Sequence, residues 1–271
     1  MPTILVTNDD GIDSPTLVPL VRALQPLGDV RVVVPATERS WVAKAISRFD
    51  VVDVYDTERD GLPMRAVRGT PADCVSLGVH TLEPTRPDLV VSGINVGLNY
   101  GLAFVLSSGT VGGAIEAWIA GVPAVAFSMA VPNDAFGLRG AQRIAALGTR
   151  PVAAAAMAAD LTALLLRRGL PPGVDVVSVN MPADVTVDTP RVVARMTRSA
   201  YGPLFVPGPE GGYLHRFQSL TPLESPEDGD IQVVARGAVA ITPLRFDVTA
   251  PLSDEWRASL ERPGGPATAR K

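Results

Sequence analysis

The feature that most constrains the fold of this chain is a repeated alternation of short apolar runs with helix-like segments. The apolar runs are rich in valine, are bounded by turn residues and contain few polar residues, which is typical of strands covered on both faces. They occupy residues 3–7, 30–34, 89–92, 124–128 and 174–179. The helix-like segments occupy residues 14–24, 71–82, 111–120 and 142–168, the last interrupted near Pro151. The alternation predicts an α/β fold with a mostly parallel sheet and helices on both faces.

The pattern changes after about residue 185, where Gly- and Pro-rich loops separate three strand-like runs with no helix between them. These runs occupy residues 191–195, 231–234 and 238–242. We therefore expect an α/β core over residues 1–185 and a β-rich extension over residues 186–250. The extension is expected to be an arm or long hairpin that returns to the core. Residues 251–271 are expected to form a C-terminal tail.

Composition excludes several classes of protein. With 46% hydrophobic and 19% charged residues in a chain of 271, the protein is expected to fold around a real core. A net charge of -4 provides no positive field for a nucleic-acid polymer or an anionic membrane. The chain opens without a basic leader, and its most apolar later stretch, residues 152–166, is short for a bilayer and contains Asp160. A cytoplasmic protein without a membrane partner is expected.

The supply of sulfur and imidazole ligands is small. One cysteine, Cys74, excludes an intrachain disulfide and a cysteine-rich zinc site, and two histidines exclude a histidine-rich metal site. His80 is interpreted as structural, whereas His215 lies in a Gly-rich loop from which it could also reach a neighbouring active site. Any chemistry is therefore expected to depend mainly on oxygen ligands and backbone groups.

Polar residues cluster where the predicted strands end. Ligands of open α/β sheets bind beyond the carboxyl ends of the strands. Four clusters fall at such ends or at the start of a predicted helix, and we expect them to converge on one crevice. They are residues 8–11, 38–40, 92–95 and 107–110.

The first cluster places Asp9 and Asp10 side by side after an apolar strand. Both carboxylates can reach one centre only if the chain turns there, and they repel each other unless a cation or proton intervenes. The hydroxyl of Ser40 and the amide oxygen of Asn95 would complete an all-oxygen set suited to one Mg²⁺ or Mn²⁺. The spacing alone is also compatible with a capped turn. The segment lacks the alternating ligands and terminal Glu of a calcium loop.

The last cluster, Ser107 to Thr110, opens a helix with hydroxyls, a glycine and free backbone N–H groups. Such a helix start binds phosphate, although the same residues also suit a simple capped helix. Beside a cation it would form a phosphoryl site. The glycines at 93, 97 and 101 miss the dinucleotide fingerprint, so this loop is interpreted as one that lets backbone approach a ligand or, alternatively, as a flexible connection. Trp41, next to Ser40, either lines a nucleobase pocket or fills a gap.

Four motifs in chain order resemble those of the SurE family, the stationary-phase survival proteins that act as nucleotidases. They are "ILVTNDDGI", "ERS" followed by "AIS", "PDLVVSGINVGLNYG" and "SSGTVGGAIEA". The segments "GTPADCVSLG", "GVPAVAFS" and "GAVAITPLRFDVT" match further family blocks, so that the resemblance spans nearly the whole chain.

The resemblance implies a Rossmann-like core with an arm exchanged between the subunits of a homodimer or homotetramer. It also implies divalent-metal-dependent removal of phosphate from nucleoside 5'- and 3'-monophosphates, with some action on short polyphosphate. One cation per subunit, Mg²⁺ or Mn²⁺, would be held by the four ligands named above. The substrate-binding residues implied or predicted alongside them are Asn8, Trp41, Asn99, Ser108, Gly109 and Thr110.

The chain departs from the family pattern beside this site. Residues 41–44 read Trp-Val-Ala-Lys where the family usually has small residues, and Ser107 stands where Tyr is common. We expect attack by activated water with Asp9 nearby, although Asp9 or Asp10 could also act as base or nucleophile. A haloacid-dehalogenase-type hydrolase is disfavoured, because it needs Asp-x-Asp after the first strand. The remaining alternative is a catalytically weak nucleotide-binding module with an altered substrate loop.

Overall fold

A twisted sheet forms the centre of the computed structural model, which describes residues 1–132, 135, 138 and 140–261. The strands along the described chain are β1 (Thr3–Thr7), β2 (Asp29–Pro35), β3 (Val54–Arg59), β4 (Leu62–Val67), β5 (Leu89–Val96), β6 (Ala124–Met129), β7 (Val176–Met181), β8 (Arg191–Val193), β9 (Ser199–Tyr201), β10 (Phe205–Pro207), β11 (Tyr213–His215), β12 (Leu220–Pro222) and β13 (Val239–Leu244). The main sheet has the order β3-β4-β2-β1-β5-β6-β7-β13-β8.

The six strands from β4 to β7 in this order are parallel to one another. β3 pairs with β4, and β13 with β7, in antiparallel fashion, while the short β8 runs parallel to β13. The predicted α/β class with a mostly parallel sheet is confirmed, and the five predicted core strands are present with shifts of only a few residues.

Helices cover both faces of the sheet. The α-helices of the described chain are α1 (Leu17–Leu24), α2 (Pro71–Leu77), α3 (Gly101–Ser107), α4 (Gly109–Ile119), α5 (Gly140–Leu147), α6 (Arg150–Arg168), α7 (Asp230–Ala235) and α8 (Asp254–Leu260), of which α8 is exposed. Helices α1, α5 and α6 contribute to one apolar core and α2, α3 and α4 to another. Within β1, Ile4 and Val6 join the first core and Leu5 the second. Since both faces are buried, the strand reads as a continuous apolar run.

The predicted extension contributes to two structures. β8 and β13 complete the main sheet, whereas β9 pairs with β12 and β10 with β11 to form a two-step hairpin over residues 199–222, here called the arm. The division of the chain at residues 185 and 250 stays a prediction. In the predicted tail, Ser253 caps the exposed helix α8, and residues 262–271 lie outside the described part of the chain.

The predicted strand at residues 231–234 is wrong, because these residues belong to α7. A short apolar run fits either a strand or a buried helix, and a distant contact decides here. The buried carboxylate of Asp230 accepts hydrogen bonds from the backbone N–H groups of Gly101, Thr197 and Ile231. This contact joins the start of α7 to the start of α3.

Other differences are smaller. The hairpin of β3 and β4 and the short helix α3 were not predicted, and the predicted helix at 71–82 ends as α2 at Leu77 before a looser turn over Gly78–Leu82. Within the described residues, no helix taken singly has the length and apolar character to cross a bilayer. Two bent pairs, α3 with α4 and α5 with α6, meet those criteria together by length and composition only.

Candidate active site

The strand order reverses between β1 and β5. From β1 the chain continues outward to β2 and β4, and from β5 it continues in the opposite direction to β6 and β7. At such a switch point the loops diverge and leave a crevice at the carboxyl ends of the strands. Asp9 and Asp10 follow β1, and Asn95 lies near the end of β5. The predicted cluster therefore lies where α/β sheets bind ligands.

Asn8 holds the turn that carries the two acids. Its side-chain amide donates to the carbonyl of Gly11 at 3.0 Å and accepts from the N–H of Gly11 at 3.1 Å. Gly11 has a φ of +84°, and a Cβ there would lie 2.8 Å from the backbone carbon of Thr37. Both ends of the Asn8 amide are thus engaged within the turn, and its predicted contact with substrate stays a prediction.

Asp9 faces the start of α4. Its side chain is buried, and its Oδ1 accepts a hydrogen bond from the hydroxyl of Thr110 at 2.5 Å. A Cβ added to Gly109 would lie 2.9 Å from the Cβ of Asp9 and 3.0 Å from the carbonyl oxygen of Arg39. A glycine at the first position of α4 therefore lets this helix start approach the carboxylate closely.

Asp10 faces the end of β5. Its Oδ2 accepts hydrogen bonds from the backbone N–H of Val96 at 3.0 Å and from the hydroxyl of Ser14 at 3.4 Å. The guanidinium of Arg143 donates to the carbonyl of Val96 at 3.1 Å. The two adjacent acids are therefore fixed by different elements, Asp9 by α4 and Asp10 by β5.

The environment disfavours ionisation of both acids. Burial, with a contribution from the negative charge of Asp10, raises the pKa of Asp9 to about 7, although the hydrogen bond from Thr110 opposes the shift. Burial also raises the pKa of Asp10 to about 6, opposed by the N–H of Val96. Two crowded carboxylates in a poorly solvated crevice bind a proton or a cation strongly.

The end of β5 is bent where Asn95 enters the site, because its pairing with β6 shifts between Ser92 and Asn95. Gly93 has a φ of +130°, and a Cβ there would lie 2.3 Å from the carbonyl oxygen of Phe127 on β6. The side-chain nitrogen of Asn95 donates to the carbonyl of Gly97 at 2.8 Å. This leaves the amide oxygen of Asn95 as the group available to a ligand.

Ser40 enters the site from the loop after β2. Its hydroxyl donates to Oε1 of Glu38 at 2.6 Å, so the lone pairs of the hydroxyl oxygen remain available. The same loop is joined to β1 through the backbone, because the N–H of Arg39 donates to the carbonyl of Asp9 at 2.7 Å. Three chain segments distant in sequence therefore meet around the two acids.

The start of α4 fits the predicted anion site in part. Ser108 is its N-cap, and the Ser108 hydroxyl accepts from the N–H of Val111 at 3.1 Å. This hydroxyl is therefore engaged in capping, as the simpler interpretation of the sequence allowed. The N–H groups of the first turn have no acceptor within the helix and carry the positive end of its dipole.

Most of the predicted site residues line one cavity of about 280 Å³. Its lining includes Asp9, Ser40, Trp41, Asn95, Asn99 and Ser108. Gly109 and Thr110 lie directly behind Asp9, whereas Asp10 lines a neighbouring cavity of about 270 Å³ together with Glu38 and Arg143. The acids thus lie between two cavities.

Sequence reasoning missed the residues that orient Asn99. The N–H of Asn99 donates to the side-chain oxygen of Asn180 at 2.8 Å, and its side-chain nitrogen donates to the hydroxyl of Ser128 at 2.9 Å. Ser128 lies in β6 and Asn180 in β7, and both are buried. A buried polar residue near the carboxyl end of each apolar strand was the available signal.

The donor set fits a hard divalent cation. The second oxygen of each carboxylate, Oδ2 of Asp9 and Oδ1 of Asp10, accepts no side-chain hydrogen bond from the described residues. Neutral oxygens of Ser40 and Asn95 lie in the same crevice. Among the described residues there is no group of three or more His, Cys, Asp or Glu side chains that could hold a metal. Carboxylate and neutral oxygens are the ligands that hard divalent cations prefer.

Fold and site together define an α/β protein with an acidic, oxygen-rich crevice at the switch point of its sheet. The model of the family "Survival protein SurE" matches residues 4–203. The chain belongs to the SurE family.

Named relatives cover the chain almost completely. A protein of Methanocella arvoryzae, named 5'-nucleotidase SurE, is 38% identical over 91% of this chain and 93% of its own length. A protein of the same name from Methanosarcina mazei is 36% identical over 92% of this chain and 94% of its own. The crystal structure of the SurE protein from Aquifex aeolicus superposes with a TM-score of 0.72 at 31% identity. The superposition covers 95% of the Aquifex aeolicus chain and 92% of this chain.

Proposed function

We propose that this chain is a divalent-metal-dependent 5'-nucleotidase that removes phosphate from nucleoside monophosphates. It is a member of a family of phosphoric monoester hydrolases, and its relatives carry the name 5'-nucleotidase. The observation that carries the proposal is that Asp9, which adjoins a second acid at the switch point of the sheet, meets the start of α4. This pairing of acids with a helix start suits a phosphoryl group next to a cation.

The residues have separate roles in this proposal. Asp9, Asp10, Ser40 and Asn95 would hold Mg²⁺ or Mn²⁺, which supplies neutralisation of phosphate charge and acidification of water when bound. The N–H groups at the start of α4, together with Asn99, bind the remaining phosphate oxygens. Asp9 lies beside the expected position of the attacking water and can accept its proton.

Phosphate release from AMP, measured with Mn²⁺ or Mg²⁺ and then with excess EDTA, tests the proposal. We expect release only with the cation present and a loss of about 1,000-fold in kcat/KM for Asp9→Ala, equivalent to about 4 kcal/mol of transition-state stabilisation. Asp10→Asn is expected to be impaired similarly. Asp13→Asn removes a charge from an exposed position of the same loop and is the matched control.

Full activity of both acid variants would overturn the assignment of the acids. Cation-dependent binding of AMP without phosphate release would instead identify a nucleotide-binding module. This alternative is considered because residues 41–44 depart from the family pattern. The same measurement on 3'-AMP and short polyphosphate tests the extension of the activity to those substrates. Light scattering tests the proposed homodimer or homotetramer, in which the arm would supply the contact.

A further inference from the structure

The cavity that contains Asp9 is aromatic at its other side. Trp41, Phe104 and Phe217 line it, and each comes from a different part of the chain: the loop after β2, helix α3 and the arm. The centroid of the Trp41 ring lies 5.7 Å from that of Phe104 and 5.8 Å from that of Phe217, and the two phenylalanines are 5.2 Å apart. We call these three residues the aromatic wall.

Two residues of the arm support Trp41 from outside the cavity lining. The rings of Tyr201 and His215 lie 5.6 Å and 4.9 Å from Trp41 by centroid, both inclined steeply to it. The Tyr201 hydroxyl also lies 3.2 Å from the hydroxyl of Ser107. Trp41 nevertheless remains 39% exposed, and the rings named here all contact it at angles of 47° or more. Part of the Trp41 side chain is therefore accessible to a ligand, and stacking of a planar group on it is the contact that an indole ring favours.

The loop that presents Trp41 has an unusual backbone. Trp41 and Ala43 have φ values of 62° and 50°, a left-handed conformation that residues with a Cβ adopt at a cost of about 1 kcal/mol each. Gly112 allows this loop to lie directly on α4, because a Cβ at 112 would meet the carbonyl oxygen of Ala43 at 2.2 Å. Strained backbone that is held in place by its surroundings is frequent at ligand sites.

We propose that the aromatic wall stacks the nucleobase of the substrate and makes Trp41 a specificity-determining residue. The inference rests on the proposed function, since Asp9 defines the phosphate end of the same cavity. Every base offers a flat face to an aromatic ring, so recognition by the wall depends on stacking rather than on the edge of one particular base. The site then selects phosphate esters with a base over esters without one.

The test compares AMP with ribose 5-phosphate, which carries the same ester on the same sugar carbon but has no base. The measured quantity is the ratio of kcat/KM for the two substrates. We expect Trp41→Ala to lower this ratio by about 5- to 150-fold, which corresponds to the loss of one stacked base. Trp41→Phe keeps a ring and is expected to lose less. Phe217→Ala provides a second route to the same result should Trp41→Ala fold poorly.

Phe205→Ala is the matched control, because Phe205 is an arm aromatic near His215 that does not line the cavity. In Phe205→Ala, the ratio of kcat/KM for AMP to that for ribose 5-phosphate is expected to equal that of the unmodified protein. A ratio that Trp41→Ala and Phe217→Ala both leave unchanged, with both substrates hydrolysed, would show that the wall only attaches the arm to the core.

Binding separates this inference from the proposed function. Calorimetric titration with adenosine, which has a base and no phosphate, needs no turnover. We expect measurable affinity for the unmodified protein and a Kd raised by a similar factor in Trp41→Ala. Lack of phosphate release from any ester would overturn the proposed function alone. Lack of adenosine binding to the unmodified protein would overturn the inference that the aromatic wall stacks a base.

Discussion

The two ends of the cavity are built in different ways. At the phosphate end, Asp9, Asp10 and Asn95 directly follow or end sheet strands, and Asp9 there is 4% exposed. The aromatic end is made of a loop, a short helix and the arm, and Trp41 there is 39% exposed. Each acid is fixed by hydrogen bonds to a neighbouring core element, whereas Trp41 is fixed by ring contacts to other surface elements.

This difference separates two tasks of one site. Groups that must be placed accurately belong to the rigid sheet, and groups that select a ligand belong to surface segments whose sequence can vary without unfolding the core. Changes at the phosphate end should therefore affect the stability of the whole chain. Changes at the aromatic end should affect mainly ligand preference.

The largest stability effect is expected from the charge of Asp9. Its pKa is about 7 in the folded chain and about 4 when unfolded, so the folded chain holds the proton more tightly between these values. The stability from this group is complete below about pH 4 and is lost as pH rises through about 7. In EDTA, the free energy of unfolding of Asp9→Asn minus that of the unmodified protein should rise by a few kcal/mol across this window.

Urea unfolding at a series of pH values measures this difference. Asp13→Asn changes an exposed acid. The difference between its unfolding free energy and that of the unmodified protein should not change with pH. Mn²⁺ in excess should stabilise the unmodified protein most above pH 7, where the acids are ionised, and should stabilise Asp9→Asn much less. A flat difference for Asp9→Asn would mean that water reaches this carboxylate freely.

The next largest loss of stability is expected from Gly93→Ala. This substitution tests whether the phosphate end is part of the folding core. Alanine there would adopt a left-handed φ of +130° and meet the carbonyl oxygen of Phe127 at 2.3 Å. Strain and overpacking together are expected to cost about 3 kcal/mol of unfolding free energy. Gly97→Ala is the control, because its φ of +146° is similar but its nearest neighbour is a side-chain atom 3.4 Å away. Equal losses for the two variants would show that close packing against β6 contributes little.

The sequence predicts the phosphate end of the cavity better than the aromatic end. The core strands and the switch-point cluster could be predicted, because continuous apolar runs and the polar residues after them are local signals. Asp9, Ser40 and Asn95, distant in sequence, do line one cavity. Local patterns failed where a distant contact decides the conformation. Residues 231–234 became helical beside the buried Asp230, and no local signal indicates that Phe104 and Phe217 face Trp41.

The smallest effect tests how the Trp41 loop is held. Nζ of Lys44 lies 2.6 Å from Oε2 of Glu116 on α4, and the N–H of Ala43 donates to the carbonyl of Ser107 at 3.0 Å. Lys44→Met keeps the apolar stem but leaves a largely buried carboxylate without its cation. Because the lysine is partly exposed, the expected loss of unfolding free energy is only about 1 kcal/mol.

A double-mutant cycle with Glu116→Gln isolates the contribution of this ion pair. The double variant should recover most of the stability lost by Lys44→Met, because no unpaired charge then remains at the loop. Since the pair holds the loop rather than the sheet, the AMP to ribose 5-phosphate ratio should shift by about two- to threefold in Lys44→Met, equivalent to about 0.5 kcal/mol. Simple additivity of the two substitutions, with an unchanged ratio, would mean that the ion pair does not position Trp41, and that the ring contacts and the backbone contacts of the loop are sufficient.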